Sequence, residues 1–476
     1  MGERTEQDSM GKVEVLEEAY YGSFTSRALE NFQITPEEPY REFYHALGMI
    51  KKAAAQVNRE IGLLGPEKSD AIVKASEEVI NGYFDDQFVL DPIQAGAGTP
   101  FHMNANEVIA NRATELLGGE KGDYAVHPND HVNMGQSSNN VIPTAVHLSA
   151  LEISESLLDE IEELKKTFKK KGEEFEDVLK VGRTHLQDAV PVTLGQEFRA
   201  YSRMCKKGME RLEQSFKELR EVGLGGNAVG TGINTPPEFR QNLVSRLADI
   251  AGKDIIPAED PREATQSRSA LARLSSELKV FVLDMVKVAD DLIFLNSGPV
   301  AGIGELELPE VEPGSSIMPG KVNPSIVEAF KMTCIDFIGS AEAIDHAAKE
   351  GDLDLNIMAP LIAKNLFGPV KALRSSLKML REKCVEGIEA DRNRIEQLFQ
   401  GSTATATALS PYIGYHRTAE VVKEALSSDK TVKEAVVDRD YLTGEEAEEI
   451  LDPERMTEPS GIDQDLKQKI QDRLED

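Results

Sequence analysis

The chain has 476 residues, of which 40% are hydrophobic, and it carries a formal net charge of −30. This composition predicts a globular protein with a large core and excludes a disordered chain. The charge argues against nucleic acid and anionic membranes as partners, and no apolar run approaches the roughly 18 residues that a membrane span needs. We interpret the acidic residues as a solvated surface, compatible with high salt, where ions screen self-repulsion.

The N-terminus and the cysteines indicate the compartment. The first residues, MGERTEQDSMGKVEV, lack the apolar core of a signal peptide. Cys205, Cys334 and Cys384 match neither a disulfide framework nor a zinc site. The histidines show no HExxH or other metal-ligand spacing. The sequence therefore predicts a cytoplasmic protein with no metal ion and no cofactor.

Long segments with little glycine or proline predict helices through the middle of the chain. These segments are 144–171, 196–222, 262–297, 325–350 and 361–386, the last with a kink at Gly368-Pro369. Within 262–297, apolar residues recur at spacings of four and three, which is typical of a long helix buried nearly all round in a bundle. The members of this heptad pattern are Leu274, Leu278, Phe281, Met285, Val288, Leu292 and Leu295.

The fold class follows from the absence of regular strand–helix alternation. We expect a mainly α protein and no doubly wound sheet. The segment GLGGNAVGTG at 223–232 contains a G-x-G-x-x-A match, but it follows a helical pattern, so we expect a tight loop and no dinucleotide site. We divide the chain into an N-terminal mostly helical domain at 1–140, a central long-helix bundle at 141–396 and a small C-terminal helical domain at 397–476.

Three polar clusters stand in predicted loops at helix ends. They are QAGAGTPFHMNANE at 94–107, HPNDHVNMGQSSNN at 127–140 and GRTHLQDAVPVTLGQEF at 182–198. Serine and asparagine before a helix either cap it or present donors to an anion. His185, crowded by polar neighbours, is either a proton carrier or a structural histidine.

The fourth cluster is PGSSIMPGKVNP at 313–324. Its glycines and prolines fix the backbone, while Ser315, Ser316, Lys321 and Asn323 suit an anionic small molecule. A phosphate-binding P-loop is excluded by the glycine spacing and by the valine that follows the lysine. A plain connector between helices stays open as an alternative, and we interpret Met318 as a packing residue rather than a sulfur ligand.

Together, the motifs GSSIMPGKVNP at 314–324, SSN at 137–139, GRTHLQDAVP at 182–191 and AVGTGINT at 228–235 resemble the fumarase/aspartase superfamily. With further matches near both ends, the resemblance spans nearly the whole chain. It implies a mainly α, three-domain fold and a homotetramer built on long helices. It also implies a small dicarboxylate substrate and active sites shared by three subunits.

The resemblance also implies residue roles. Ser315 matches the general base, Lys321 and Asn323 match the partners of the substrate carboxylate, and Glu328 matches the carboxylate that orients His185. The matching substrate-binding positions are Thr99, Ser137, Ser138, Asn139, Thr184, Ser316 and Met318. Thr184 and His185 would come from another subunit.

These motifs point to two different leaving groups, water and ammonia. Ser137-Ser138-Asn139 resembles class II fumarases, which add or remove water. The segments that resemble aspartases, which remove ammonia from L-aspartate, are Ala19-Tyr20-Tyr21-Gly22, Gly96-Ala97-Gly98-Thr99, Ala264-Thr265-Gln266 and Leu355-Asn356-Ile357-Met358. We therefore favour an aspartase over a fumarase.

The sequence departs from the family pattern at Pro100, where Ser or Gln is common, and at Asn140, where Asp is usual. Either departure would be consistent with a shifted substrate. A catalytically silent structural homologue and a lyase for a larger succinyl compound are therefore further alternatives.

Overall fold

The computed structural model describes residues 2–37, 40–428 and 430–475, and the fold is mainly α, as predicted. The helices are α1 Ser23–Asn31, α2 Arg41–Glu60, α3 Pro66–Ile80, α4 Thr99–Leu116, α5 Ser138–Glu174, α6 Leu194–Leu219, α7 Phe239–Ala251, α8 Pro261–Gln266, α9 Ser269–Leu295, α10 Ser325–Lys349, α11 Ala359–Lys383, α12 Arg392–Gln400, α13 Ser410–Ile413, α14 Tyr415–Ser427, α15 Val432–Asp438, α16 Gly444–Ile450 and α17 Gln464–Glu475. None of the described helices is long and apolar enough to cross a membrane.

Short strands form two-stranded sheets. The strands are β1 Glu3–Asp8, β2 Gly11–Leu16, β3 Leu179–Thr184, β4 Gln187–Thr193, β5 Glu221–Val222, β6 Ile256–Pro257, β7 Leu306–Glu307, β8 Gly351–Asp352, β9 Leu355–Asn356 and β10 Glu389–Ala390. β1–β2, β3–β4, β8–β9 and β7–β10 pair antiparallel, and β5–β6 pair parallel. The glycine-rich segment 223–232 lies in a loop between β5 and α7, as predicted.

The long helix predicted over 262–297 is two helices, α8 and α9, so this prediction was wrong at its start. No glycine or proline causes the break. Arg268 lies between the two helices with its side chain buried, and its guanidinium donates to the carbonyls of Ala264, Thr265 and Ser267 and to that of Asn356. These hydrogen bonds satisfy carbonyls that the end of α8 leaves free.

The heptad pattern of α9 is confirmed, because all seven of its members are buried. The expectation that this helix is buried nearly all round was wrong for the single chain. Val280 and Leu283 on its other side are exposed, since none of the described residues covers them.

The remaining long helices match their predictions apart from their ends. α5 begins at Ser138, six residues before the predicted start, because the serine and asparagine residues there form its first turn. α11 runs unbroken across Gly368-Pro369. α6 ends at Leu219, and the two residues of β5 replace its predicted last turn.

The chain divides into two compact units. The first unit comprises Met1–Glu160, Gly208–Leu283 and Met332–Ser375, and the second comprises Ile161–Lys207, Asp284–Lys331 and Ser376–Asp476. In the first unit α2 packs against α3, α4 and α7. In the second unit the C-terminal helices surround an apolar cluster that includes Leu409, Val421, Val436 and Ile470. The three-domain division stays a prediction.

Candidate active site

The loop at 313–324 is closed at its base by hydrogen bonds. The Gly314 N–H donates to the Lys321 carbonyl at 2.9 Å, and the Asn323 side-chain amide donates to the Gly314 carbonyl at 2.6 Å. A Cβ atom on residue 314 would lie 2.7 Å from the Asn323 nitrogen, closer than real Cβ contacts come. Only glycine fits this approach, and Gly320 supplies a left-handed turn at φ +81°.

Within this loop, Ser315 Oγ accepts two backbone hydrogen bonds. The N–H groups of Ile317 and Met318 lie 3.2 and 3.0 Å from it. Donors aimed at an oxygen stabilise negative charge there, which a serine needs in order to act as a base. The structure thus provides, from the loop's own backbone, a stabilising environment for an alkoxide at Ser315.

The other loop side chains face outward. Ser316 and Lys321 are exposed, and among the described residues no hydrogen bond or ion pair engages the Lys321 ammonium. Ile317 is 83% exposed and Met318 48% exposed. The interpretation of Met318 as a packing residue was therefore wrong for the single chain, because the described residues leave about half of its surface uncovered.

Thr184 and His185 lie at the tip of a β-hairpin, where the sequence had predicted a plain loop. β3 and β4 pair up to Thr184 and Gln187, and His185 and Leu186 form the turn at φ +56° and +59°. Positive φ at both central residues is the turn geometry that matches the twist of a hairpin. Both Thr184 and His185 are exposed, so they can meet a partner outside this hairpin.

A buried ion cluster anchors the base of the hairpin. Glu305, which is fully buried, lies 2.5 Å from the Arg183 guanidinium and 3.0 Å from the Lys180 ammonium, and Lys180 also binds Glu197. Burial alone would raise the pKa of Glu305, but hydrogen bonds and charge from Arg183 and Lys180 outweigh burial and hold that pKa below its usual value. The cluster therefore fixes the strand that leads to Thr184 and His185.

Glu328 lies in the first turn of α10, exposed, just after the loop. Within the described residues, no hydrogen bond joins it to His185. The single chain thus does not form the pair that the family resemblance implied.

In the first unit, Ser137, Ser138 and Asn139 form the start of α5. The Ser137 carbonyl accepts the N–H groups of Asn140 and Val141, and its Oγ accepts that of Asn139 at 3.3 Å, so Ser137 has a capping role. The Asn139 side chain donates to the Ala228 carbonyl at 2.8 Å. This bond joins the SSN motif to the AVGTGINT motif.

Thr99 begins α4 in the same unit. Its hydroxyl donates to the Gly96 carbonyl at 2.6 Å, and Pro100 occupies the first turn, where its missing N–H costs nothing. A Cβ atom on Gly98 would lie 2.9 Å from the Ile142 side chain of α5. The start of α4 is therefore packed against the first turns of α5.

The sequence analysis missed one polar group in this unit, the buried Lys51 of α2. Its ammonium contacts Nε2 of His102, and Nδ1 of His102 lies 2.8 Å from Ser138 Oγ. Burial holds the pKa of both Lys51 and His102 well below their usual values. A sequence signal exists: Lys51 lies four residues after Leu47 and three before Ala54, on the apolar face of α2.

Comparisons with known proteins agree with the motifs. A family model described as "Lyase" matches residues 11–339, and one described as "Fumarase C C-terminus" matches residues 406–458. The chain is 43% identical to aspartate ammonia-lyase from Bacillus subtilis, over 98% of each chain. It is 47% identical to class II fumarate hydratase from Halobacterium salinarum, over 95% of this chain and 97% of that one.

Solved structures share the fold. The class II fumarase from Schistosoma mansoni has a TM-score of 0.94 at 37% identity, covering 97% of this chain and all of that one. The fumarate lyase:delta crystallin from Brucella melitensis has a TM-score of 0.93 at 43% identity, covering 96% of this chain and 100% of that one. The chain belongs to the fumarase/aspartase superfamily of lyases.

The closed base of the 313–324 loop should be essential for turnover. In Gly314→Ala the new Cβ would separate the loop ends and displace Ser315, so we expect kcat to fall on the order of 100-fold. Fumarate absorbance with the preferred substrate measures this. Gly461→Ala, at an exposed glycine with open space around it, is the control. An unchanged kcat in Gly314→Ala would contradict this role of the loop.

The buried carboxylate should stabilise the second unit. Glu305→Gln leaves Arg183 and Lys180 without a buried counter-charge. We therefore expect the free energy of unfolding, measured with urea at neutral pH, to fall by about 3–5 kcal/mol. Glu307→Gln, at an exposed carboxylate two residues on, is the matched control.

The pH dependence of that loss gives a second readout. Because the folded pKa of Glu305 lies below its unfolded value, its stabilisation is present above the unfolded pKa and is lost as pH falls through the folded one. The difference in free energy of unfolding between wild type and Glu305→Gln should therefore become smaller in acid. A difference that stays constant down to the lowest pH at which the protein folds would contradict the charge explanation.

Proposed function

We propose that the protein makes fumarate by eliminating ammonia from L-aspartate. The observation that carries this choice is the packing of two aspartase-like segments on one another. Arg268 donates to the carbonyls of both Thr265 and Asn356, and the Asn140 side-chain amide donates to Thr265 Oγ1 at 2.9 Å. The aspartase-like features thus adjoin the first turn of α5, which carries Ser138.

A second candidate is a class II fumarate hydratase, which interconverts malate and fumarate. The fumarase-like Ser137-Ser138-Asn139 sequence supports it, and so does the 47% identity to the Halobacterium salinarum enzyme. Both reactions share fumarate and differ in the leaving group. The same catalytic residues would serve either one.

In the proposed reaction, Ser315 removes a proton from the carbon next to one carboxylate of L-aspartate. The electron pair then moves into that carboxylate, giving an aci-carboxylate with two negative charges, and ammonia leaves from the neighbouring carbon on the opposite face. Lys321 and Asn323 would stabilise the doubly charged group, a contribution of about 3–4 kcal/mol per donor in comparable sites. The amides of Ile317 and Met318 would stabilise the alkoxide of Ser315.

The substrate-binding positions divide between the two units. Thr99, Ser137, Ser138 and Asn139 belong to the first unit, and Thr184, Ser316 and Met318 to the second, with the catalytic groups. We propose that three neighbouring subunits complete each site. Glu328 would then orient His185 of another subunit.

We further propose that the protein is a homotetramer. On α9, Val280 and Leu283 are exposed, and on α10 Met332 and Ile335 are 68% and 55% exposed. Apolar residues three apart on long helices form a face suited to other copies of the same helices. The three free, buried cysteines support our placement of the enzyme in a reducing cytoplasm.

The substrate assignment can be tested by following fumarate absorbance with L-aspartate and L-malate separately. We expect turnover of L-aspartate that falls at least 100-fold in Ser315→Ala, while Ser9→Ala in the β1–β2 turn has no effect. Turnover of L-malate alone would replace the assignment with the hydratase. No turnover of either substrate would leave a lyase for a larger succinyl compound or a silent homologue.

The tetramer can be tested by light scattering. The wild type should have four times the 52.3 kDa mass of the chain. Leu283→Lys combined with Met332→Lys should reduce that mass, because charges in an apolar interface lose their hydration. Leu426→Lys, on the exposed face of α14, should leave it unchanged. A wild-type monomer with full turnover would contradict both the tetramer and the shared site.

A further inference from the structure

Lys51 is a fully buried lysine without a counter-charge. Its side chain is 0% exposed, and within the described residues no carboxylate forms an ion pair with it. Its neighbours are Nε2 of His102, Oδ1 of Asn133 at 3.2 Å and Oε1 of Gln136 at 2.8 Å. Burying an ammonium in this way costs free energy, so its three acceptors must be closely arranged.

Two of these acceptors are held in place by their own amide groups. The Asn133 side-chain NH₂ donates to the Gln136 carbonyl at 3.2 Å, and the Gln136 NH₂ donates to the Val132 carbonyl at 2.9 Å. Both side-chain oxygens therefore face Lys51 and take up two of its hydrogens. The third direction from Lys51 leads to His102.

The state of Lys51 sets the direction of the remaining hydrogen bonds. An ammonium donates to Nε2 of His102, so the imidazole carries its proton on Nδ1 and donates it to Ser138 Oγ. Ser138 then has its own O–H free to donate. A neutral amine would accept from Nε2–H instead, and Ser138 would turn its O–H inward towards Nδ1.

We propose that Lys51 and His102 are positioning residues that hold the Ser138 hydroxyl as a hydrogen-bond donor towards a carboxylate of the substrate. The proposal rests on the proposed function, in which Ser138 contacts a dicarboxylate. A carboxylate can only accept hydrogen bonds, so it needs the outward orientation of Ser138. A bound dianion also favours the ammonium form of Lys51, although burial lowers the pKa of that group.

Two substitutions of His102 separate this role from a purely structural one. In His102→Asn, the amide nitrogen can take the place of Nδ1 and still donate to Ser138, while the contact with Lys51 is lost. In His102→Gln, the longer amide can reach Lys51, while the donor to Ser138 is lost. Lys51→Met replaces the cation with an apolar chain of similar length. It removes the ammonium that sets the proton of His102 on Nδ1.

We expect His102→Asn to keep KM within about threefold of wild type, and His102→Gln and Lys51→Met to raise KM about tenfold or more. The kcat values should change less, because the lost hydrogen bond holds substrate and transition state alike. In the double variant, His102→Gln should not raise KM beyond the value of Ser138→Ala alone. Thermal melting of each variant shows whether KM merely follows stability.

The outcomes distinguish this inference from the proposed function. Equal KM values in the two His102 variants, or a higher KM in His102→Asn than in His102→Gln, would overturn the positioning role of Lys51 and His102. Turnover by the wild type would still uphold the proposed function. Should the wild type turn over neither L-aspartate nor L-malate, calorimetric binding of succinate replaces KM, and the same order of affinities is expected. No succinate binding to the wild type would overturn both.

Discussion

The backbone of Gly314 comes so near to that of Lys321 and Asn323 that no side chain fits between them. This contact turns a glycine- and proline-rich connector into a closed loop with defined interior donors. The donors converge on Ser315 Oγ, a weakly acidic hydroxyl that depends on its surroundings to act as a base. The chemistry proposed for this chain depends first on that backbone contact.

Within each unit, buried ionic groups lie next to polar residues proposed for catalysis or binding. Glu305 lies at the base of the hairpin that ends in His185, and Lys51 lies behind the first turn of α5. Replacing a whole group of this kind by apolar residues would change stability little, because desolvation cancels much of its attraction, whereas removing one partner leaves an uncompensated buried charge. Their value here is geometric, since a buried hydrogen-bonded charge allows few alternative positions for the strand or helix attached to it.

The sequence predicts much of this fold because local patterns set most of it. The heptad pattern of α9 identifies a buried helix, and the four polar motifs identify the family. The break between α8 and α9 could not be found in this way, because it comes from hydrogen bonds of Arg268 to a segment almost ninety residues later. The position of Lys51 on the apolar face of α2 marks it as unusual, but its acceptors come from distant segments and could not be found from a local pattern. The described residues of one chain do not pair His185 with Glu328, so a local pattern cannot report on that pair.

The exposed Ile317 at the tip of the closed loop has a further consequence. Movement of that loop onto a bound substrate would bury this side chain, a change worth roughly 1.5–3 kcal/mol. Attraction between the anionic substrate and Lys321 weakens as dissolved ions accumulate, whereas burial of an isoleucine does not. In a chain with a net charge of −30, part of the free energy that holds an anionic substrate would then come from a residue that carries no charge.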